Sequence, residues 1–141
     1  MLLADSAQAA EGKLYVLGGG WSVTGPGPAP SAIAMKIEVP WDQANMPHHW
    51  ELFLIDGDGQ QVFVDTTEGA QPVEIRGDFE VGRPPGVPPG TPIDLPIAIN
   101  ISPMPLLPGS RFTWRLVVDG ETHEDWELSF TTRPAPEGET V

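Results

Sequence analysis

The stretch RFTWRLVVDGETHEDWELSF, residues 111–130, decides the fold because it predicts a complete β-hairpin. Apolar and polar residues largely alternate on both sides of Asp119-Gly120, which is a strong signal for a hairpin turn. Two residues that pair across a hairpin point to the same face, so an apolar residue on the core face should pair with another apolar residue. These all have even numbers: Phe112, Trp114, Leu116 and Val118 before the turn, and Trp126, Leu128 and Phe130 after it.

This parity predicts the length of the turn. A two-residue loop would pair Val118 with Glu121 and place Trp114 opposite Asp125. We therefore expect a bulged turn of three or five residues. The outer face then brings Arg115 near an acid of the second strand, either Asp125 or Glu127, and such an exposed ion pair contributes little. Trp114 and Trp126 are predicted core residues.

The rest of the chain is cut into short pieces by 17 prolines and 16 glycines. Residues 2–10 also have helix-favouring composition, but the turn signal at Glu11-Gly12 favours a strand. Together with the hairpin, the pieces predict an all-β fold, a two-sheet antiparallel β-sandwich (immunoglobulin-like or C2-like) of about seven to nine strands. The other predicted strands cover residues 3–8, 14–17, 32–39, 50–55, 62–65, 73–81 and 95–101.

Glycine and proline residues predict three local features. Gly77, inside the strand at 73–81, predicts a β-bulge. Pro96 cannot donate a main-chain hydrogen bond, so the strand at 95–101 lies at a sheet edge or points the proline nitrogen outward. The polyproline-type segment GRPPGVPPGTP at 82–92 predicts either a stiff crossover between sheets or a ligand for an aromatic-lined groove.

Length and composition predict one domain over residues 1–132, followed by a flexible acidic tail over residues 133–141. The chain has no cysteine, which is typical of a reducing compartment. Its N-terminus lacks the basic start and long apolar run of an export signal, and no segment has the length of a membrane span. We therefore expect a cytoplasmic protein.

The net charge of −13 disfavours nucleic acid and anionic membranes as partners. Basic proteins and metal cations suit a field of this sign better. An acidic surface also keeps a protein soluble, so the charge identifies no partner by itself.

Catalytic patterns are missing from the sequence. There is no Gly-x-Ser-x-Gly elbow, and the glycine-rich stretch at 18–25 lacks the lysine of a phosphate-binding loop. Adjacent His48 and His49 point to opposite sides of a strand, and with His123 they are predicted surface residues rather than metal ligands. The sequence therefore predicts no enzyme, no catalytic residue and no cofactor.

The segment Asp56-Gly57-Asp58-Gly59 begins like a calcium-binding loop. The sixth and twelfth positions of such a loop hold glycine and glutamate, whereas this chain has Gln61 and Thr67 there. A hairpin turn explains the segment, and the sequence predicts no metal site. Calcium held between end loops stays an alternative, with candidate ligands Asp42, Asp56, Asp58 and Asp65.

Trp21, Trp41 and Trp50 lie at predicted strand ends or in loops. Exposed tryptophans there could anchor a protein partner or stack on a sugar ring, whereas buried ones would close the ends of the sandwich. These three residues form the predicted partner contact.

Two groups of motifs resemble a family of short bacterial proteins of unknown function. The opening has LADSA at 3–7 and GKLYVLGG at 12–19, which matches an ADxA…GKLxxxG pattern. The later part has LPG at 107–109, FTW at 112–114 and VDG at 118–120. The stretch GWSVTGPGP at 20–28 is similar to an actinobacterial branch. The resemblance covers about residues 3–131. It implies a small cytoplasmic β-sandwich without known activity, and no functional residues to carry over.

These observations favour a non-enzymatic protein-interaction or assembly module of unknown pathway. Its partner is another protein or a second copy of the chain in a homo-oligomer. The alternative is a ligand-binding sandwich, with calcium at acidic end loops or carbohydrate on exposed tryptophans. An enzyme of unfamiliar type would need a deep pocket with a perturbed titratable pair.

Overall fold

A computed structural model describes residues 1–136 and shows an all-β chain, as predicted, with two short 3₁₀ turns at Trp41–Gln43 and Glu124–Trp126. Its strands are β1 Leu2–Ala4, β2 Ser6–Ala10, β3 Lys13–Leu17, β4 Val23–Thr24, β5 Ser31–Val39, β6 His48–Asp56, β7 Phe63–Thr66, β8 Gly69–Pro72, β9 Glu74–Phe79, β10 Ile93–Ile101, β11 Arg111–Val118 and β12 Glu127–Thr132. These twelve strands exceed the roughly seven to nine predicted. One reason is that residues 2–10 form two strands with different neighbours.

The strands form four sheets. A three-stranded sheet has the order β1-β5-β10, and a five-stranded sheet has the order β4-β12-β11-β6-β9. The hairpins β2-β3 and β7-β8 form two smaller sheets. All named pairings are antiparallel except the short parallel contact of β4 with β12.

The main core draws on both larger sheets. Ile33 and Met35 of β5 pack in one cluster with Leu52 and Leu54 of β6 and with Trp114 of β11. A second cluster consists of alanines, whose small side chains let β2 lie close to β5. Its buried members are Ala4, Ala7, Ala32 and Ala34. The predicted core positions of Trp114 and Trp126 are confirmed, with Trp126 only partly buried.

The β11–β12 hairpin confirms the parity argument and corrects the turn. Trp114 pairs with Leu128, so both partners are even-numbered core residues. The turn itself has two central residues, because Val118 pairs with Glu121 around Asp119 and Gly120, which have φ of 50° and 80°. The register then shifts over residues 122–126, which include a 3₁₀ turn. The predicted three- or five-residue turn is therefore wrong, because the extra residues lie after the turn.

The predicted ion pair on the outer face of this hairpin is present. Arg115 Nε donates to Glu127 Oε1 at 3.0 Å. The side chains of Arg115 and Glu127 are 42% and 32% exposed, so water screens the ion pair and its contribution to stability is small.

Gly77 makes no bulge, because the β6–β9 register runs through it and pairs it with Trp50. The glycine is needed for a different reason: a Cβ atom there would lie 2.7 Å from the Trp50 ring. Pro96 lies in the edge strand β10, as predicted. Residues 82–92 connect β9 to β10 and so cross between the two larger sheets, which confirms the crossover interpretation.

The predicted tail begins with a residue that is bonded to the domain. Arg133 donates its main-chain N–H to Thr24 at 2.8 Å and its guanidinium to the Gly25 carbonyl at 3.0 Å. Residues 137–141 of that tail lie outside the described residues. In residues 1–136, no helix has the length and apolar character needed to cross a membrane.

Candidate interaction surface

The hairpin of β2 and β3 leaves one edge of β3 free. Glu11 and Gly12, with φ of 54° and 73°, form a two-residue turn that pairs Ala10 with Lys13. Hydrogen-bonded pairs alternate along an antiparallel ladder, so Lys13, Tyr15 and Leu17 bond to β2. The main-chain N–H and C=O groups of Leu14 and Val16 therefore point away from β2; we call them the β3 edge. Across residues 1–136, no strand pairs with this edge.

The opposite edge of the same hairpin is capped at Ala7. Ala7 of β2 donates its N–H to Asn100 Oδ1 at 3.1 Å, and Asn100 Nδ2 donates to the Ala7 carbonyl at 2.8 Å. The Asn100 amide, on β10, thus satisfies the outward main-chain groups of Ala7, whereas Ala9 also faces away from β3. This bidentate contact also fixes the hairpin to the three-stranded sheet.

Apolar side chains are exposed beside the free edge. Tyr15 is 52% exposed, Val16 40% and Leu17 69%. Leu2 is 38% exposed and lies close to Val16, because a Cβ atom added to Gly19 would meet both of their side chains. We call Leu2, Tyr15, Val16 and Leu17 the β3 patch. Tyr15 and Leu17 share the outer face of the hairpin, since residues two apart on a strand point to the same side.

Charged residues are missing from this region of an acidic chain. The run LYVLGGGWSV at 14–23 has no charged residue, although the net charge is −13. Three other edge strands carry features that block unwanted strand pairing. The edge strand β9 carries Glu74, Arg76 and Asp78, β10 carries Asp94 and Pro96, and β4 has only two residues. In β3 the one charged residue is Lys13 at its start, and residues 14–17 contain no charge and no proline.

The three tryptophans of the predicted partner contact lie in different environments. Trp50 is 8% exposed and belongs to the main core, so it is not an exposed anchor. Trp21 is partly buried and packs edge-to-face on Phe130 with ring centroids 6.0 Å apart. Trp41 is partly buried under the Arg83 guanidinium, which lies 4.3 Å from its ring centroid. A contact role for Trp21 and Trp41 stays a prediction.

His48 corrects the prediction that the histidines are surface residues. Its side chain is only 6% exposed and stacks on Phe79, with ring centroids 5.0 Å apart. Nδ1 lies 2.7 Å from Asp119 Oδ2, and Nε2 lies 2.9 Å from the Gln43 carbonyl oxygen. His49 points to the other side of β6, where it contacts Asp78 and is 42% exposed.

The partners of His48 determine its protonation state. A carbonyl and a carboxylate both accept hydrogen bonds, so this arrangement favours the charged imidazole, in which both ring nitrogens donate. The Gln43 hydrogen bond, and after it the Asp119 hydrogen bond, raise the pKa of His48. The same bond from His48, followed by the His49 main-chain N–H, lowers the pKa of Asp119. Since neither nitrogen is free, His48 has no position from which to exchange a proton with a substrate.

We expect the pH dependence of stability to change in the His48→Gln variant. Because the pKa of His48 is raised on folding, protonated His48 stabilises the folded protein fully at pH values below its unfolded-state pKa of 6.5. This stabilisation is lost as pH rises through the folded-state pKa. Because the pKa of Asp119 is lowered on folding, ionised Asp119 stabilises the folded protein fully at pH values above its unfolded-state pKa of 3.8. This stabilisation is lost as pH falls through the folded-state pKa. The free energy of unfolding of wild type should therefore exceed that of the variant by most between pH 3.8 and pH 6.5.

Urea unfolding of both proteins across this range measures the effect. The difference in unfolding free energy between the two proteins should fall by about 1 kcal/mol as pH rises above 6.5 and His48 loses its proton. The effect is no larger because solvent screens the half-exposed Asp119. His123→Gln, at an exposed histidine, is the control and should follow wild type. Parallel pH profiles for wild type and His48→Gln would contradict the charged His48 pair.

A cleft of about 670 Å³ opens beside His48, between β5 and β11. Ile37, Leu116 and Trp126 form part of its apolar wall. Its lining also includes one lysine, Lys36, and four acids: Glu38, Asp119, Glu121 and Asp125. The cleft thus combines an apolar wall with an excess of acidic side chains, which disfavours anions.

The acids of the calcium alternative are not gathered at one place. Asp56 uses its carboxylate within its own turn, where Oδ1 accepts the N–H groups of Asp58 and Gln60, each at 2.9 Å. Asp42 lies in a 3₁₀ turn and Asp65 in β7. In the part of the chain that the structure describes, no three histidine or acidic side chains are grouped so that they could hold a metal ion.

Comparison with known proteins places the chain in a family. The family of unknown function DUF6941 matches residues 1–131. The chain belongs to this family. The DUF6941 match begins before β1 and ends within β12, so it includes the β3 edge and His48 with its partners Gln43 and Asp119. The predicted likeness to a family of unknown function is confirmed at this level. No curated protein and no solved structure matches the chain.

Sequence reasoning missed the β3 patch as a surface. The run at 14–17 reads as an ordinary β-strand, and its apolar residues suggest burial. One sequence feature could have indicated the exposed patch: this run begins the uncharged stretch at 14–23 in a chain with 20 acidic residues. His48 was missed because its acceptors, Gln43 and Asp119, come together only in the folded chain.

Proposed function

We propose that this DUF6941 chain is a non-enzymatic protein-interaction or assembly module of the cytoplasm. It acts by adding a β-strand of another chain to the β3 edge. In this proposal the two larger sheets form a β-sandwich within the domain of residues 1–132, and the separate β2-β3 hairpin presents the edge. The observation that carries the proposal is an unpaired strand edge, uncharged over residues 14–17 and flanked by exposed tyrosine and aliphatic side chains.

Main-chain and side-chain contacts would both contribute to such an interface. An added strand would bond to the N–H and C=O groups of Leu14 and Val16, and its side chains would cover Tyr15 and Leu17. Fully burying one large apolar side chain contributes roughly 1.5–3 kcal/mol. Association also costs free energy for lost motion and for ordering of flexible segments. The Asn100 contact reduces the ordering cost because the hairpin is already fixed to the sheet.

The proposal predicts that Leu17→Lys abolishes association. Lysine at this 69% exposed position leaves the core intact but places a charge on the apolar face beside the edge. Light-scattering mass over a concentration series detects a self-complex, and purification of the tagged protein from its own cells detects a stoichiometric partner. Wild type should associate in one of these assays, and Leu17→Lys should not.

Leu107→Lys is the matched control, because Leu107 is 72% exposed and lies outside the β3 patch. It should associate like wild type. The proposal fails if wild type shows no complex in either assay, or if Leu17→Lys retains the complex.

A further inference from the structure

We infer that the strand added to the β3 edge comes from a second copy of the same chain, paired antiparallel with Tyr15 opposite Tyr15. The inference rests on the proposed function of this edge. It names the partner and the register of the interface.

The free main-chain groups determine the register. Only Leu14 and Val16 present N–H and C=O groups outward in β3, so hydrogen-bonded pairs across the interface must use these residues. In an antiparallel pair of two β3 strands, Leu14 opposite Val16 uses both residues of both copies. Leu14 opposite Leu14, or Val16 opposite Val16, would use one residue of each. The register with the most hydrogen bonds therefore places Tyr15 on the two-fold axis.

The side chains suit this register. Tyr15 of each copy would form a non-hydrogen-bonded pair, in which cross-strand side chains come closest. Leu17 of each copy would lie on the same face, opposite Lys13 and diagonal to Tyr15 of the other copy, so the lysine stem and the tyrosine ring would cover it. Self-pairing would join the two hairpins into one four-stranded sheet, β2-β3-β3-β2, whose outer strands have Ala7 capped by Asn100.

Charge explains how two acidic copies can meet here. Each copy carries a net charge of −13, so a stable contact must avoid acid against acid. In the inferred register Lys13 lies opposite Leu17 of the second copy, next to the Gly18 against which Asp5 lies. Glu11 lies opposite Gly19. Within the paired strands the one charged side chain is therefore Lys13, which is opposite in sign to Asp5 of the second copy.

Cysteine substitution tests the register directly, since the chain has no cysteine of its own. A self-pair at Tyr15 has the Cα separation that a disulfide requires, about 4.5–5.5 Å. Tyr15→Cys should therefore form about tenfold more covalent dimer under mild oxidation than Leu107→Cys, which has an exposed thiol elsewhere. A mixture of Lys13→Cys and Leu17→Cys should cross-link as a heterodimer, and Leu14→Cys or Val16→Cys alone should not.

The outcomes separate this inference from the proposed function. If Leu14→Cys or Val16→Cys cross-links instead of Tyr15→Cys, the register is wrong and the edge contact stands. If light scattering finds only monomer while a different protein co-purifies in a Leu17-dependent way, the second copy is wrong and the interaction module stands. If Tyr15→Cys and Leu107→Cys cross-link equally and Leu17→Lys changes nothing, both fail. Thermal unfolding of each variant checks that it is folded.

Discussion

Trp114→Ala is expected to lower the free energy of unfolding by about 3–5 kcal/mol, the range for large aromatic residues in protein cores. Trp114 is 1% exposed and lies on β11, near the middle of the five-stranded sheet. It pairs with Leu128 on one side and Leu54 on the other. Alanine would remove the transfer free energy of the indole and leave a cavity that a closely packed sheet cannot fill.

Urea unfolding followed by circular dichroism measures this loss without relying on tryptophan fluorescence. Trp41→Ala is the control, because Trp41 lies outside the core clusters in a 3₁₀ turn and packs mainly against Arg83. Its loss should be within about 1 kcal/mol, as for other surface contacts. Equal losses in the two variants would contradict the assignment of Trp114 as the centre of the core.

Gly77→Ala is expected to destabilise the protein by about 1–3 kcal/mol through overpacking. The sign of this change in stability is informative, because replacing glycine by alanine within a strand ordinarily stabilises a protein by roughly 0.5–1 kcal/mol. Here the new Cβ would lie 2.7 Å from the Trp50 ring. Trp50 is only 8% exposed and packed in the core, so the ring has little freedom to move.

A double-mutant cycle shows whether Trp50 is the cause. In a Trp50→Leu background, which lacks the indole, Gly77→Ala should lose its cost, giving a coupling energy of about 1–3 kcal/mol. Gly57→Ala is the control, since its nearest neighbour, the Arg111 carbonyl oxygen, would lie at an ordinary 3.8 Å. It should be neutral or slightly stabilising. Additive effects of Gly77→Ala and Trp50→Leu would show that the cost has another origin.

Much of the fold could be predicted because side-chain alternation is a local property. The even-numbered apolar residues of 111–130 required Trp114 to have an even-numbered partner, and Leu128 is that partner. Pro96 lacks an N–H wherever it lies, so covalent structure limited it to an edge strand or to an outward-pointing nitrogen, and β10 is an edge strand. The uncharged run at 14–23 was equally readable, although its meaning depended on whether β3 would be covered.

The sequence by itself determined the all-β class, the inward face of each long strand and the acidic surface. The tertiary structure decided the rest. Gly77 is needed for Trp50, which lies 27 residues away in the chain, and His48 is charged because Gln43 and Asp119 approach it from separate segments. The Asn100 amide caps Ala7 of β2, while no strand pairs with the β3 edge in the described residues 1–136. Alternation tells which way a side chain points, but burial, charge state and a free edge depend on neighbours that only folding supplies.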